Sequence, residues 1–230
     1  EPSPEPTFLI LGGEKYGGRP FQKMISEGKY TRLFEHTQSP GEKRTLEDWY
    51  RRDANARPPH HILRARTDSP DGQDYTRVPD ADGRLHDTDA WLAVQETLWA
   101  IVNRAYPSSL LRDRFGEEPD PIPSSVRFQG SATEQEIWNG ALKVESAREH
   151  VVAWFREIVT TDGNPEPSQL KRFFDLKPDE SPDLDAADAL AELKTQVEQK
   201  LDAGPIKPAT CRWATDASGA FTGEVTTDHL

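Results

Sequence analysis

A chain of 230 residues is long enough to bury a core as one large domain or two small ones, and with 34% apolar and 30% charged residues it also carries long polar loops. Its formal charge of −12 repels phosphate backbones, which disfavours general binding to nucleic acid or to an anionic membrane. The single cysteine, Cys211, excludes an intrachain disulfide and any thiolate metal cluster, and no apolar run approaches the ~20 residues that a helical membrane span requires.

The chain begins Glu1-Pro-Ser-Pro-Glu-Pro6, without an initiator Met and without signal-peptide character. It reads as cut from a longer protein, and its lone cysteine suits a reducing, cytoplasmic location. Phe8 to Leu11 is a short apolar run ended by Gly12-Gly13, the profile of a strand buried on both faces. A helix is expected within Phe21 to His36, then a loop from Gln38 to Lys43. Thr45 can cap a short helix through Asp53, ended by Pro58-Pro59, and His61 to Arg64 reads as a second strand. Asp68 to Asp87, rich in Asp, Gly and Pro, reads as an exposed loop.

The clearest helix follows. Trp91, Val94, Leu98, Ile101, Val102 and Ala105 fall on one face, with Asp87 or Thr88 as the cap and Pro107 as the stop. Ser108 to Phe115 is expected to form a short helical turn, and Gly116 to Gln129 a proline-rich loop. Ser131 opens a helix through Leu142, with Glu134 completing a capping box. Val151 to Ile158 is a strong strand, Ser168 to Phe174 a short helix, and Asp183 to Leu201 a long one closed by Gly204-Pro205. A last strand is expected around Thr210 to Trp213.

Strands separated by helices predict an α/β fold, a mainly parallel sheet flanked by helices, as one domain over residues 1–214 with 215–230 as a loose tail or linker. Ligands of such sheets sit beyond the carboxyl ends of the strands. Those ends present Gly12, Gly13 and Glu14 from the first strand and Arg156 and Glu157 from the third. Glu14, Arg156 and Glu157 are therefore the catalytic candidates. Gly12, Gly13, Lys15 and Arg19 are the candidates for binding a small anion. The alternative is structural: a tight turn at Gly12-Gly13 and an Arg156–Glu157 pair that satisfies the strand end. Neither G-x-G-x-x-G nor G-x-x-x-x-G-K-[ST] occurs. His60, His61, His86 and His150 lack metal-ligand spacing, so no metal or other cofactor is called for. Trp49-Tyr50 beside Arg51-Arg52 is the best candidate for an exposed contact site.

Four stretches, in order, carry a resemblance. They are Leu9-Ile10-Leu11-Gly12-Gly13-Glu14-Lys15-Tyr16-Gly17-Gly18-Arg19-Pro20, the set Trp49, Tyr50, Asp53, Asn55, Pro58 and Pro59, the set Ser131, Thr133, Glu134, Glu136 and Ile137, and Trp154-Phe155-Arg156-Glu157-Ile158. Together they resemble the N-terminal TIR-like domain of NACHT and WD-repeat proteins, a group within the signal-transducing NTPases with numerous domains. Gly13 stands as an extra residue before the acid of that family's pattern. The family's earlier strand and helix motifs are absent, so the resemblance implies a TIR-like or flavodoxin-like fold that is incomplete. It also implies an effector or signalling interaction module placed ahead of a NACHT oligomerisation module, with protein partners that include further copies of itself. Two alternatives stay open: a hydrolase cleaving NAD or another nucleotide, and a domain that binds a small anion. In catalytic TIR relatives the glutamate lies on an early helix, and no residue of this chain inherits that role.

Overall fold

The computed structural model describes residues 8–81, 83, 85–107, 122–159, 167–177, 179–202 and 206–226. In chain order the first elements are strand β1 (Phe8–Gly12), strand β2 (Met24–Ser26), helices α1 (Glu27–Glu35) and α2 (Pro40–Trp49), and strands β3 (Tyr50–Asp53) and β4 (His60–Leu63). The two-residue strands β5 (Val78–Pro79) and β6 (Leu85–His86) precede helix α3 (Asp89–Ala105) and helix α4 (Ser124–Gln129). Helix α5 (Ala132–Ile137) runs into a π turn, Trp138–Leu142, and is followed by α6 (Ala147–His150) and β7 (Val151–Ile158). Helices α7 (Pro167–Leu170) and α8 (Leu184–Leu201) then lead to β8 (Ile206–Cys211), β9 (Trp213–Thr215) and β10 (Phe221–Val225).

Contacts divide this chain, expected to be one domain over 1–214, into two compact units. The first combines Glu1–Gly18 with Gly130–Leu230, and the second is the intervening Arg19–Gln129. The first unit is built on a three-stranded parallel sheet, β1-β7-β8. Ile10 lies opposite Ala153 and Gly12 opposite Phe155, while Ile158 lies opposite Cys211. Ile10, Val151 and Ala153 face a core filled by Leu193, Val197 and Leu201 of α8. Successive side chains on a strand point to opposite faces, and the intervening residues Leu9 and Leu11 stand 57% and 70% exposed.

Local chemistry explains the helix ends. Asp183 caps α8 by accepting from the Ala186 N–H, and Asp202 closes it in the left-handed region at φ 54°. Ser131 caps α5 by accepting from the Glu134 N–H. The segment from Thr215 onward, expected to be loose, instead folds back. β10 pairs with β9, and Phe221 packs on Trp213 at 5.0 Å, closing a second small core with Phe173 and Ile158.

The second unit corrects several expectations. β2, β4 and β3 form an antiparallel sheet, so the strand at His60–Leu63 does not belong to a parallel one. The helix expected within Phe21 to His36 is there as α1, and the strand β2 precedes it in the same stretch. The helix expected to start at Thr45 begins at Pro40, because Ser39 accepts from the Glu42 N–H while the Glu42 carboxylate accepts from the Gln38 N–H. It ends at Trp49, and Tyr50 to Asp53 is strand. Thr88 caps α3 as expected. The loop expected over Gly116 to Gln129 contains α4, with Val126 and Phe128 buried. The turn expected at Ser108 to Phe115 and the stop at Gly204-Pro205 lie outside the described residues.

Candidate functional site

The carboxyl ends of β1 and β7 lie side by side, and there Glu14 does the holding. One of its carboxylate oxygens accepts from Arg156 Nε at 3.2 Å and Nη2 at 2.9 Å, and the other accepts from the Ile158 backbone N–H at 2.9 Å. The Glu14 side chain is 12% exposed and that of Arg156 is 32%. Charge-assisted bonds in such a half-dry place are stronger than neutral ones. Neighbouring residues on a strand face opposite ways, so the expected Arg156–Glu157 pair does not form. Arg156 reaches across to Glu14, and Glu157 is exposed.

Glycine at position 13 leaves room for this arrangement, because a Cβ there would lie 2.7 Å from Arg156 Nη2 and the guanidinium would have to shift. The loop that follows is pinned residue by residue. Lys15 Nζ donates to the Lys171 carbonyl at 3.0 Å. The Asp175 carboxylate accepts from the N–H groups of Tyr16 (2.7 Å) and Gly17 (3.2 Å), and Gly17 takes φ 92°, where a side chain is strained. The Tyr16 hydroxyl donates to the buried Glu134 carboxylate. Glu134 is therefore structural on two counts, and Glu136 faces solvent. Three of the four motifs that carry the resemblance thus meet in one hydrogen-bonded network inside the first unit.

The remaining candidates have separate roles. Lys15 and Arg156 are held as described, while Arg19, in the second unit, lays its guanidinium 5.2 Å over the Trp99 ring. They do not share one anion site within either unit. Trp49 and Tyr50, expected to be exposed contact residues, are 2% and 4% exposed. Trp49 meets Trp91 and Tyr75 edge-on at 5.0 and 5.1 Å, and the Tyr50 hydroxyl donates to the Gln22 carbonyl. Burial pushes the Tyr50 hydroxyl pKa up. Arg51 and Arg52 are exposed, and Arg52 Nε bonds Glu27 at 3.1 Å. Cys211 is buried, and burial raises its thiol pKa, which suits packing rather than nucleophilic attack.

Two positions have no counterpart among the sequence candidates. Lys194 of α8 places its ammonium 5.6 Å over the Phe155 ring, beside the end of β1. Its signal was a cation on the Leu190, Leu193, Val197 stripe. His61, buried on β4, packs its ring 3.6 Å from that of Tyr30, with Nε2 3.6 Å from a Glu27 oxygen. Burial lowers the His61 pKa below 6.5, which Glu27 opposes and Arg52 and His60 reinforce.

A pH dependence follows from that lowered value. The unfolded chain takes up the proton near pH 6.5, before the folded one does, so stability is full above about pH 6.5 and falls as pH drops through that point towards the folded pKa. Urea midpoints at pH 7.5 and 5.5 should therefore converge in His61→Leu relative to the parent chain. Parallel losses in both proteins would contradict this assignment.

Among the described residues, no helix is long and apolar enough to cross a membrane, and no group of three or more His, Cys, Asp or Glu side chains is placed to hold a metal ion. No protein-family model, curated protein or solved structure matches this chain.

Proposed function

We propose that the chain is a TIR-like, non-enzymatic effector or signalling module that stands ahead of a NACHT nucleotide-binding module and meets a neighbouring copy when that module oligomerises in the cytoplasm. The observation that carries this reading is the exposure of Leu9 and Leu11 on β1, an outer strand of the parallel sheet. Parallel sheets are ordinarily covered on both faces. An outer strand also offers unpaired backbone groups to another chain.

A second copy suits that surface for a reason of charge. Chains of −12 repel one another in dilute solution. An adjoining oligomer raises their effective concentration and lets a modest apolar contact form only on assembly. The hydrolase reading would have to rest on the exposed Glu157 alone, because Glu14 is engaged by Arg156 and by the Ile158 N–H. The TIR-like or flavodoxin-like description of the parallel unit belongs to the same proposal.

Amide hydrogen exchange tests the contact. When the chain is fused to an oligomeric scaffold, exchange across Leu9 to Leu11 is expected to slow severalfold relative to the unfused monomer. The double substitution Leu9→Lys and Leu11→Lys is expected to abolish that protection. Equal exchange in monomer and assembly would overturn the reading.

A further inference from the structure

Each of the two units leaves one row of apolar side chains outside its core. In the first unit Leu9 lies opposite Val152 and Leu11 opposite Trp154, so alternation puts all four on one face of the parallel sheet. None of them joins the cluster that β1 and β7 build with α8, or the smaller one around Trp213. In the second unit Ile62 lies opposite Met24 on one side and Arg51 on the other. Their sequence neighbours Ile25, His61 and Tyr50 turn inward, whereas Met24 is 59% exposed, Arg51 is exposed and Ile62 stays outside the core cluster.

Charge divides unevenly between these units. The first holds 11 of the 28 basic residues and 22 of the 40 acidic ones, a net charge of −11. The remaining 17 basic and 18 acidic residues leave −1 in Arg19–Gln129. Arg51 and, in the turn between β3 and β4, Arg57 are exposed, and among the described residues neither has an ion-pair partner. Asp53, at the far end of β3, has His60 Nε2 3.9 Å from its carboxylate.

We propose that the copy-to-copy contact at β1, on which this step rests, is head to tail. The Leu9, Leu11 and Trp154 face of one copy sits on the Met24, Ile62 and Arg51 face of the next. A symmetric contact of β1 face on β1 face would bring two units of −11 within a Debye length, about 8 Å at physiological salt. The near-neutral second unit removes most of that repulsion, and its unpaired Arg51 and Arg57 meet an acidic neighbour. Trp154, half-buried on the central strand, supplies an aromatic anchor of the kind that concentrates binding energy. Met24 offers it an unbranched, adaptable side chain. Because such a contact uses two different surfaces, each added copy leaves one open for the next.

Two full chains on flexible linkers, one on each arm of a heterodimeric coiled-coil scaffold, test the pairing by amide exchange over Leu9 to Leu11. One variant carries Leu9→Lys and Leu11→Lys, the other Met24→Asp and Arg51→Glu. Both sets alter exposed side chains, and circular dichroism checks that the variants fold. With one variant on each arm, a single complementary pair of faces remains. The chain carrying Met24→Asp and Arg51→Glu is then expected to exchange severalfold more slowly over Leu9 to Leu11 than when it occupies both arms. Equal exchange in the mixed and matched pairs would overturn the head-to-tail pairing. Protection in a pair of parent chains would then leave the β1 contact standing with another partner surface, and its absence there would remove the contact as well.

Discussion

Replacing Glu14 with alanine is expected to lower the stability of the first unit by about 3 kcal/mol, far more than loss of an exposed ion pair, which costs about 0–1 kcal/mol. The difference lies in what is left behind. Without the carboxylate, the half-buried Arg156 guanidinium has lost its acceptor and the Ile158 N–H has lost its partner at a strand end. Hydrogen bonds to a charged group contribute roughly 1.5–3 kcal/mol each, less where water can substitute. Glu14→Gln keeps an oxygen for Ile158 and gives up the charge, so about half the loss is expected. In urea the alanine variant should unfold about 2 M earlier, at a slope of about 1.5 kcal/mol/M. A shift below about 0.5 M would mean that the carboxylate is not part of the framework and is free for another role.

The second large effect is in the other unit. Trp49→Ala is expected to cost about 4 kcal/mol, since it removes a 2% exposed indole from between Trp91 and Tyr75 and leaves a cavity. Loss of the edge-on ring contacts adds to the lost burial, at roughly 0.5–1.5 kcal/mol per pair. An exposed recognition residue would behave oppositely, with stability unchanged to within about 0.5 kcal/mol. Thermal unfolding followed by circular dichroism separates the two cases.

Much of the architecture was legible from periodicity and capping. The strand at Phe8 to Leu11, the stripe of α3 with its Thr88 cap and the span of α8 lie where sequence places them, because each is decided by residues close in sequence. However, β1 is buried on one face and not on both, since Leu9 and Leu11 are exposed. The antiparallel sheet was not legible. Tyr50-Arg51-Arg52-Asp53 has no apolar alternation, and it becomes a strand only because β4 supplies the pairing. The start of α2 was missed for another reason. Pro40-Gly41 looks like a turn, yet proline is well suited to a first helical position, and Ser39 with Glu42 closes the cap.

At the strand ends the residues were legible and their partnership was not. Glu14, Arg156 and Glu157 stood out by position, but 142 residues separate Glu14 from its guanidinium, and adjacency in sequence suggested the wrong acid. The roles of Asp175 and Tyr16 in holding the glycine loop carry no local signal, since each depends on a partner more than 100 residues away. Trp49-Tyr50 misled because flanking arginines resemble a contact patch, while strand alternation and the turn out of α2 send both rings inward.

Turnover of NAD by the purified chain, as a monomer and fused to an oligomeric scaffold, bears most directly on whether the strand ends hold the fold or perform chemistry. The clamp reading predicts no cleavage above a protein-free control in either state, and Glu14→Gln that is destabilised with nothing else to lose. Cleavage by the parent chain that disappears in a folded Glu14→Gln or Glu157→Gln variant would contradict it and make the strand ends an active site.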